Sequence, residues 1–248
     1  MKICFLGTNG WYDTAAGNTV CVLVESRSEY LIFDAGNGLH KLDKYIKGGK
    51  SIRLFLSHYH LDHIIGLHAL KKFHFSRPLE IYGPPGLKAA LNRFLDAPYT
   101  VPAGKLPFKI RLHELGSRGE KCPDNVIYRP LRHSGHCYGY RAVLEKRSIA
   151  YCTDTGICDN LYSLAENADV FISECSYRSG TRADANWPHL DPRQAALIAR
   201  KANAKRLYLT HFDASIYLTQ KDRRGAQKEA REFFRNTWSA KDDMVLSL

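Results

Sequence analysis

The first third of the chain alternates short apolar runs with polar turns. Residues 2–6, 19–25 and 30–34 have the composition and length of β-strands, and residues 52–57 form a further apolar run typical of a buried strand. Turn-forming residues separate the first three runs, among them Gly7-Thr8-Asn9-Gly10. This part of the chain therefore predicts a sheet of short strands.

Helical patterns follow these strands and return near the C-terminus. Asp191-Pro192 has an N-cap residue followed by proline at the first helical position, which is typical of a helix start. The predicted helices begin after Gly38, cover 62–73, extend from 85–86 through Leu95, begin at Pro192, and cover 220–234.

Strand-like runs dominate again from residue 108 onward. They cover 108–112, 126–131, 138–144, 148–152, 170–173, 206–210 and 244–248. Two strand-rich halves interrupted by helices suit two sheets packed face to face with helices outside, although periodicity alone does not distinguish this from other α/β arrangements. No fixed-period repeat, low-complexity tract or linker interrupts the chain, so we expect one domain over residues 1–248.

Composition adds charge and compartment to this picture. The 36 Lys and Arg residues against 25 Asp and Glu residues give a net charge of +11, which favours anionic small substrates or polyanions but also fits a basic surface without a partner. Seven scattered cysteines without a Cys-x-x-Cys pair indicate neither a disulfide framework nor a cysteine zinc site. No apolar stretch or leader suggests a membrane or export, so we expect a cytoplasmic protein.

The densest cluster of chemistry-bearing residues follows the apolar run 52–57. His58 and His60 are two apart, so on extended chain both imidazoles project to the same side and can converge on one ion, and Asp62 follows at the same spacing. His63 falls at the start of the next helix and is turned elsewhere, which suits a second ion nearby. Imidazole and carboxylate together favour zinc and its neighbours among the divalent metals.

The pattern His-x-His-x-Asp-His after a strand resembles the signature of the metallo-β-lactamase superfamily. Three later strand-like runs end on a His, an Asp and a His, in the order that this superfamily uses, and these are His133, Asp154 and His211. The early segment 33–36 resembles its Asp-x-Gly turn. The resemblance spans residues 34–211 and implies an α/β fold, the four-layer αββα sandwich.

The resemblance also implies two divalent metal ions, zinc by ligand type, with Mn²⁺ or Fe as alternatives. His58, His60 and His133 would hold one ion, Asp62, His63 and His211 the other, and Asp154 would bridge both. Two such ions with a shared water would supply a hydroxide nucleophile near neutral pH. Asp62 would then also orient or deprotonate that water.

One ligand position has a competitor in the sequence. His136 lies three residues after His133 and could take the same place. His133 is preferred because His133-Ser134 followed by Tyr138-Gly139-Tyr140-Arg141 resembles the pattern around this ligand in ribonuclease Z. His136 is then a pocket residue or a loop histidine.

The resemblance to ribonuclease Z includes two further loops. Glu174, within residues 172–177, and His189, before Asp191-Pro192, match loops whose Glu and His form a pair that protonates the leaving oxygen. His189 would be the general acid and Glu174 its partner, because a neighbouring carboxylate raises the pKa of an imidazole. The alternative is a solvent-exposed histidine that merely precedes a helix.

Three departures separate the chain from a tRNA-processing ribonuclease Z. The family's long arm that grips tRNA commonly lies between the third and fourth metal motifs, but His133 and Asp154 are only 21 positions apart. The usual Arg-Asn of the early loop is Gly17-Asn18, and the usual Ser-x-Arg-Tyr after the last His is replaced in residues 213–217. The expected enzyme is therefore a phosphodiesterase without the arm.

The expected partner is a small anionic substrate or phosphodiester, including nucleotide-derived ones. A nuclease acting on RNA, and a hydrolase of thioesters, lactones or lactams, are the alternative functions. Nucleic acid binding is expected to be weak, no membrane partner is expected, and a homodimer stays open.

Overall fold

Two β-sheets packed face to face form the centre of the fold. The computed structural model describes residues 1–182 and 184–248. The strands, in chain order, are β1 (Lys2–Gly7), β2 (Asn9–Gly10), β3 (Cys21–Glu25), β4 (Glu29–Phe33), β5 (Ser51–Phe55), β6 (Leu79–Gly83), β7 (Ile110–Glu114), β8 (Val126–Pro130), β9 (Tyr138–Leu144), β10 (Arg147–Cys152), β11 (Val170–Glu174), β12 (Leu207–Thr210), β13 (Phe212–Asp213), β14 (Thr237–Ser239) and β15 (Met244–Ser247).

The helices lie between and after these strands. The α-helices are α1 (Leu61–Ile64), α2 (Leu87–Phe94), α3 (Asp159–Ala165), α4 (Pro192–Lys201) and α5 (Gln220–Phe233), and the 3₁₀ helices are Asn37–Lys44, Ile65–Lys72 and Ala103–Lys105. Within the described ranges, none of these helices is long and apolar enough to span a membrane.

The sheets divide the chain into two halves. One sheet has the order β15-β1-β3-β4-β5-β6-β7 and the other β14-β12-β11-β10-β9-β8, while β13 pairs only with β2. The strands β4 to β7 are parallel neighbours in the first sheet, and β10, β11, β12 and β14 are parallel neighbours in the second. Because parallel strands end at the same edge of a sheet, residues that follow them come together in space.

Alternating side chains on each strand supply two cores. On β1, Ile3 and Phe5 pack into the cluster between the sheets, whereas Cys4 and Leu6 pack outward against the helices of the first half. On β11, Ile172 faces the space between the sheets. These strands are buried on both faces, which explains their nearly continuous apolar sequences.

The outer faces of the sheets are covered by helices, which completes the four-layer αββα sandwich. Apolar residues of α3, α4 and α5 pack with those of the second sheet in one cluster. The 3₁₀ helices and α2 cover the first sheet in another cluster. The α/β class and the four-layer arrangement that the sequence predicts are confirmed.

The single helix predicted over 62–73 is wrong: α1 ends at Ile64 and a 3₁₀ helix follows it. The Gly66 amide donates to the Ala35 carbonyl at 2.8 Å, and the Ala35 amide donates to the His63 carbonyl at 2.8 Å. These bonds to the segment after β4 replace the bonds that a continuous α-helix would make to itself. The helix predicted after Gly38 is also a 3₁₀ helix.

Several elements were missed because their sequences are short. β6, α3 and β14 have no counterpart among the predicted elements, and the strand predicted at 108–112 begins two residues later, at Ile110. β6 lies between β5 and β7, so its place in the sheet follows from tertiary pairing. The start of α4 is as predicted, because Asp191 accepts from the Gln194 amide at 2.7 Å and Gln194 accepts from the Asp191 amide at 3.1 Å.

The packing of Gly66 gives a testable prediction on stability. A Cβ atom at Gly66 would lie 2.1 Å from the Gly36 carbonyl oxygen, so Gly66→Ala is expected to lower the free energy of unfolding by about 1–3 kcal/mol. Gly225 in α5 is the matched control, since a Cβ there meets nothing within 4 Å and Gly225→Ala should add about 0.5–1 kcal/mol. Urea unfolding at equal metal content measures both. Equal effects of the two changes would contradict this account of the broken helix.

Candidate metal centre

The sequence-predicted ligands lie at one edge of the sandwich, where strands end. His58 and His60 follow β5, and Asp154 and His211 follow the parallel strands β10 and β12, which flank β11 in the second sheet. His133 lies in the loop between β8 and β9. Strand order therefore assembles residues that are up to 153 positions apart, from His58 to His211.

One group of donors consists of His58, His60, His133 and Asp154, whose ligand atoms lie within 4.8 Å of one another. Nε2 of His58 is 2.7 Å from Nδ1 of His60, and Nε2 of His133 is 3.5 Å from the same Nδ1. Nε2 of His133 is also 3.9 Å from Oδ1 of Asp154.

A second group consists of Asp62, His63 and His211. Nε2 of His63 lies 3.1 Å from Nε2 of His211, and Oδ2 of Asp62 lies 3.4 Å and 3.3 Å from these two nitrogens. Oδ2 of Asp154 is 3.1 Å from both of them. Asp154 thus presents one oxygen to each group, as a bridging carboxylate would.

The donor set fits divalent ions. Donors about 2.0–2.1 Å from a tetrahedral zinc ion lie roughly 3.3 Å apart, and most separations within the two groups fall near that value. Among the described residues, none forms a hydrogen bond with the buried Oδ2 of Asp154, an arrangement that is costly unless another group satisfies the carboxylate. A bound cation between the groups would provide that partner.

Asp34, which follows β4, lies beneath the donor groups and orients the ring of His63. Its Oδ2 accepts a hydrogen bond from Nδ1 of His63 at 2.8 Å and from the Tyr151 hydroxyl at 2.7 Å, and its Oδ1 accepts from the Ser57 amide at 2.7 Å. Because the carboxylate accepts the Nδ1 proton, Nε2 of His63 is left with its lone pair toward the cluster. Sequence reasoning noted the turn at Asp34 but gave it no role.

Two serines contact other candidate ligands on the side away from the cluster. The hydroxyl of Ser57 is 3.0 Å from Nδ1 of His58, and the hydroxyl of Ser176 is 3.1 Å from Nδ1 of His211. These contacts hold the rings with their other nitrogen toward the cluster. Sequence reasoning missed both roles, since a serine beside a histidine carries no motif of its own.

The backbone is left-handed at three positions of this edge. The φ angles are +56° at Asp34, +52° at Asp154 and +51° at His211, a region that non-glycine residues adopt uncommonly. Asp34 directly follows β4, Asp154 lies two residues after the end of β10, and His211 separates β12 from β13. The turn redirects the side chain from the sheet toward the centre, and such local strain is typical of functional sites.

The surroundings shift the pKa values of the donors in different directions. Burial holds the pKa of His58 well below its ordinary value and lowers the pKa of His133 to about 4, so both rings are neutral near pH 7. Burial alone would raise the pKa of Asp62, but His63 and His211 outweigh it and lower the pKa. Burial opposes the charged forms of His63 and His211, but Asp62 and Asp154 outweigh it and raise the pKa of both rings. Because neutral imidazoles and ionised carboxylates coordinate divalent metals, binding of a metal would displace a proton from each of these two rings.

Glu174 and His189 form a buried pair beside the cluster. Nδ1 of His189 lies 3.1 Å and 3.0 Å from the two carboxylate oxygens of Glu174, which also accept from the amides of Thr155 and Leu190. A donor atom of His189 lies within 4.8 Å of donors of Asp154 and His211. Burial opposes the charged ring, but Glu174 outweighs it and raises the pKa of His189 to about 9.

His136 lies apart from these groups. Its side chain is exposed on the loop before β9, whereas the His133 side chain is 1% exposed and belongs to the first donor group. All seven sequence-predicted ligands and the pair Glu174–His189 are therefore brought together, and His136 is not.

A cavity of about 680 Å³ opens onto both donor groups and His189. Its wall includes Asp62, Asp154 and His211, and its mouth carries the aromatic residues Trp11 and Trp187. A small ligand can thus reach the donor groups and the buried pair from one opening.

Comparison with known proteins gives concordant matches along the whole chain. A model of the beta-lactamase superfamily domain matches residues 30–212. A ribonuclease Z of Crocosphaera subtropica is 30% identical over 309 aligned positions that cover 99% of this chain and 97% of that protein. These 309 positions exceed the 248 residues of this chain by 61, so that relative contains segments which this chain lacks.

Solved structures with the same fold were also found. The metallo-beta-lactamase fold protein YhfI from Bacillus subtilis has a TM-score of 0.80 at 24% identity, covering 99% of this chain and 98% of that one. The short form of human tRNase Z has a TM-score of 0.74 at 27% identity, covering 100% of this chain and 99% of that one.

The two donor groups predict metal content and separate His133 from His136. Gently purified protein is expected to contain about two equivalents of divalent metal by elemental analysis. His133→Ala should lose metal and nearly all turnover, because it removes a donor from the first group. His136→Ala is the matched control and should keep both, since that side chain is exposed. Metal loss on changing His136 alone, or a metal content near zero that reconstitution does not raise, would contradict this description.

Proposed function

Because this chain belongs to the metallo-β-lactamase superfamily of hydrolases, we propose that it is a metal-dependent phosphodiesterase acting on a small or nucleotide-derived diester. Members of this fold hydrolyse chemically different bonds, so the choice among reactions depends on the site itself. The similarity to ribonuclease Z proteins is consistent with a phosphodiester substrate.

The pair Glu174–His189 is the observation that carries this proposal. Hydrolysis of a phosphodiester expels an alkoxide, which leaves poorly unless a proton reaches its oxygen. His189 faces the cavity beside the donor groups and is held by Glu174 through Nδ1. Its other ring nitrogen is then free to donate a proton to the leaving oxygen. A strained lactam or lactone needs such a donor less.

We propose that the two donor groups hold two divalent ions, zinc by ligand type. His58, His60 and His133 would hold one ion, Asp62, His63 and His211 the other, and Asp154 would bridge them. Such ions supply Lewis-acid chemistry that lowers the pKa of water and offsets charge on the phosphate. Oδ2 of Asp62 already accepts the Trp11 amide proton at 2.8 Å, so this carboxylate is held in place to orient or deprotonate the attacking water.

We further propose that residues 1–248 form one domain. β1 pairs with β15, so the first and last strands of the chain lie side by side in the first sheet. Apolar side chains of both sheets also share the cluster between them. The two halves are therefore buried against each other through this shared cluster.

A nuclease is the second candidate function, favoured by the similarity to ribonuclease Z and by the net charge of +11. Between His133 and Asp154, however, the chain forms only the hairpin of β9 and β10, which turns through Glu145 and Lys146. A second grip on a large RNA has no room in this place. We therefore expect small diesters to be the better substrates.

A panel of substrates tests the proposed reaction class. Metal-loaded protein is expected to hydrolyse bis-p-nitrophenyl phosphate faster than a thioester or a lactone, and to cleave precursor tRNA poorly or at irregular positions at physiological salt. Binding to the tRNA should weaken steeply as salt rises, because it rests on charge. Efficient cleavage at a single site next to the discriminator base would replace the proposal with the nuclease. Preference for the thioester or the lactone would refute both.

Leaving-group dependence tests His189. For diesters with poor alkoxide leaving groups, His189→Ala is expected to lower kcat/KM about 10²–10⁴-fold. The loss should be much smaller for p-nitrophenolate, which departs without a proton. Steady-state kinetics on matched diesters, with metal content measured alongside, provide the comparison. Equal losses on both substrates would assign His189 a binding or structural role instead.

A further inference from the structure

Two of the three tryptophans of the chain lie at the mouth of the cavity that opens onto the donor groups, and both are exposed to solvent. Trp11 is 67% exposed and Trp187 is 46% exposed. Each contacts a residue of one donor group: the Trp11 amide donates a hydrogen bond to Asp62, and the Trp187 ring stacks on His60. Large aromatic surfaces beside a catalytic centre are the kind of feature that binds planar ligands.

Trp11 is held in this exposed position by its backbone. Its φ angle is +72°, a conformation in which a bulky residue is a real outlier, and its amide donates to Oδ2 of Asp62 at 2.8 Å. The preceding Asn9 donates to the Tyr12 carbonyl at 2.9 Å and contacts the fully buried Arg223. The loop thus holds the Trp11 indole in solvent although its backbone conformation is unfavourable.

Trp187 is held against the opposite donor group. Its ring stacks on the His60 ring with centroids 4.9 Å apart and planes 11° from parallel. Its carbonyl oxygen accepts a hydrogen bond from the Tyr177 hydroxyl at 2.9 Å. One side of the indole therefore covers a candidate ligand, and nearly half of its surface stays open to the cavity.

The charges of the cavity wall limit which ligand fits these rings. No Lys or Arg occurs among the residues that line the cavity in the described part of the chain. The ionisable wall residues besides histidine and tyrosine are Asp62, Asp154 and Asp213. Phosphate groups beyond the one at the metal centre would find no cation in the wall, so the rest of the ligand is better uncharged and planar.

We propose that Trp11 and Trp187 form an aromatic subsite that binds the nucleobase of a mononucleotide-derived phosphodiester. This inference rests on the proposed phosphodiesterase function, which supplies the phosphate at the metal centre. Stacking of bases on aromatic side chains is tolerant of base identity, because every base has a π-face. The subsite therefore selects nucleosides over base-free alcohols and does not select one base.

Binding of two mononucleotide-sized products tests the subsite without turnover. Adenosine 5′-monophosphate and ribose 5-phosphate share the phosphate and the sugar and differ in the base. With metal-loaded full-length protein, calorimetry is expected to show about 5- to 150-fold tighter binding of adenosine 5′-monophosphate, the range of one base stacked on an aromatic residue. Equal affinities, or no detectable binding of either compound, would overturn the proposal.

Variants assign the preference to the two indoles. Trp11→Leu and Trp187→Leu are each expected to reduce the affinity ratio, whereas Trp11→Phe and Trp187→Phe should retain most of it because a ring remains. Tyr99→Leu is the matched control, since Tyr99 is 61% exposed but lies outside the cavity. Metal content is measured for every variant because Trp187 contacts His60. A ratio that survives both leucine variants at full metal content would place the base elsewhere and overturn the subsite.

Turnover separates failure of the subsite from failure of the proposed function. Thymidine 5′-p-nitrophenyl phosphate and methyl p-nitrophenyl phosphate have the same leaving group, and kcat/KM is expected to favour the thymidine ester by a similar factor. Equal turnover of both esters contradicts the subsite but leaves the phosphodiesterase standing. If neither ester is hydrolysed, the phosphodiesterase fails, and the calorimetric ratio still decides whether the tryptophans bind a base.

Discussion

The hydrogen bonds to the buried Asp34 carboxylate are the interactions on which the arrangement of the donor groups depends. Asp34 follows β4 in the first sheet and accepts a hydrogen bond from Tyr151 on β10 in the second, so it joins the two sheets directly beneath the donor groups. It also accepts from Ser57 and His63, which follow β5. A buried carboxylate is costly unless its oxygens are paired, and these donors pair both of them. The same bonds fix the loop after β5 and the tautomer of His63.

The donor groups next to this carboxylate bring buried polar atoms together without satisfying all of them by hydrogen bonds within the described residues. Within the described part of the chain, the buried Oδ2 of Asp154 has no hydrogen-bond partner, and the rings of His58 and His133 are held neutral by burial. Such a cluster destabilises a fold by about 1–3 kcal/mol for each unsatisfied group. A divalent cation that binds the folded chain would relieve this cost and stabilise the fold by mass action. Stability and metal binding are thus linked through the same residues.

The charge of the molecule is distributed unequally between its surface and its cavity. The net charge of +11 resides outside a cavity wall that carries aspartates, histidines and aromatic rings. A basic exterior attracts anions over distances up to about a Debye length, whereas the choice among them is made by short-range contacts in the cavity. Long-range attraction of anions and selection of a ligand therefore depend on different residues.

The sequence by itself indicated the strands and the first cluster of candidate ligands, because both depend on local spacing, and its resemblance to a known family implied the four-layer fold and the later ligands. The apolar runs predicted the strands. His58, His60, Asp62 and His63 are informative because they fall within six consecutive residues, where spacing indicates the side to which each side chain projects. The resemblance to a known family then selected His133 over His136.

Only the tertiary structure decided how these residues are supported. Asp34, Ser57 and Ser176 orient the ligands through contacts between elements that are distant in sequence, and no local pattern distinguishes them from other polar residues. The helix predicted over 62–73 breaks because the Gly66 amide donates to the Ala35 carbonyl and the Ala35 amide donates to the His63 carbonyl. The exposure of Trp11 and Trp187 beside one cavity likewise emerges only when their loops meet. Local spacing encodes which groups are available, whereas long-range packing decides their orientation and their neighbours.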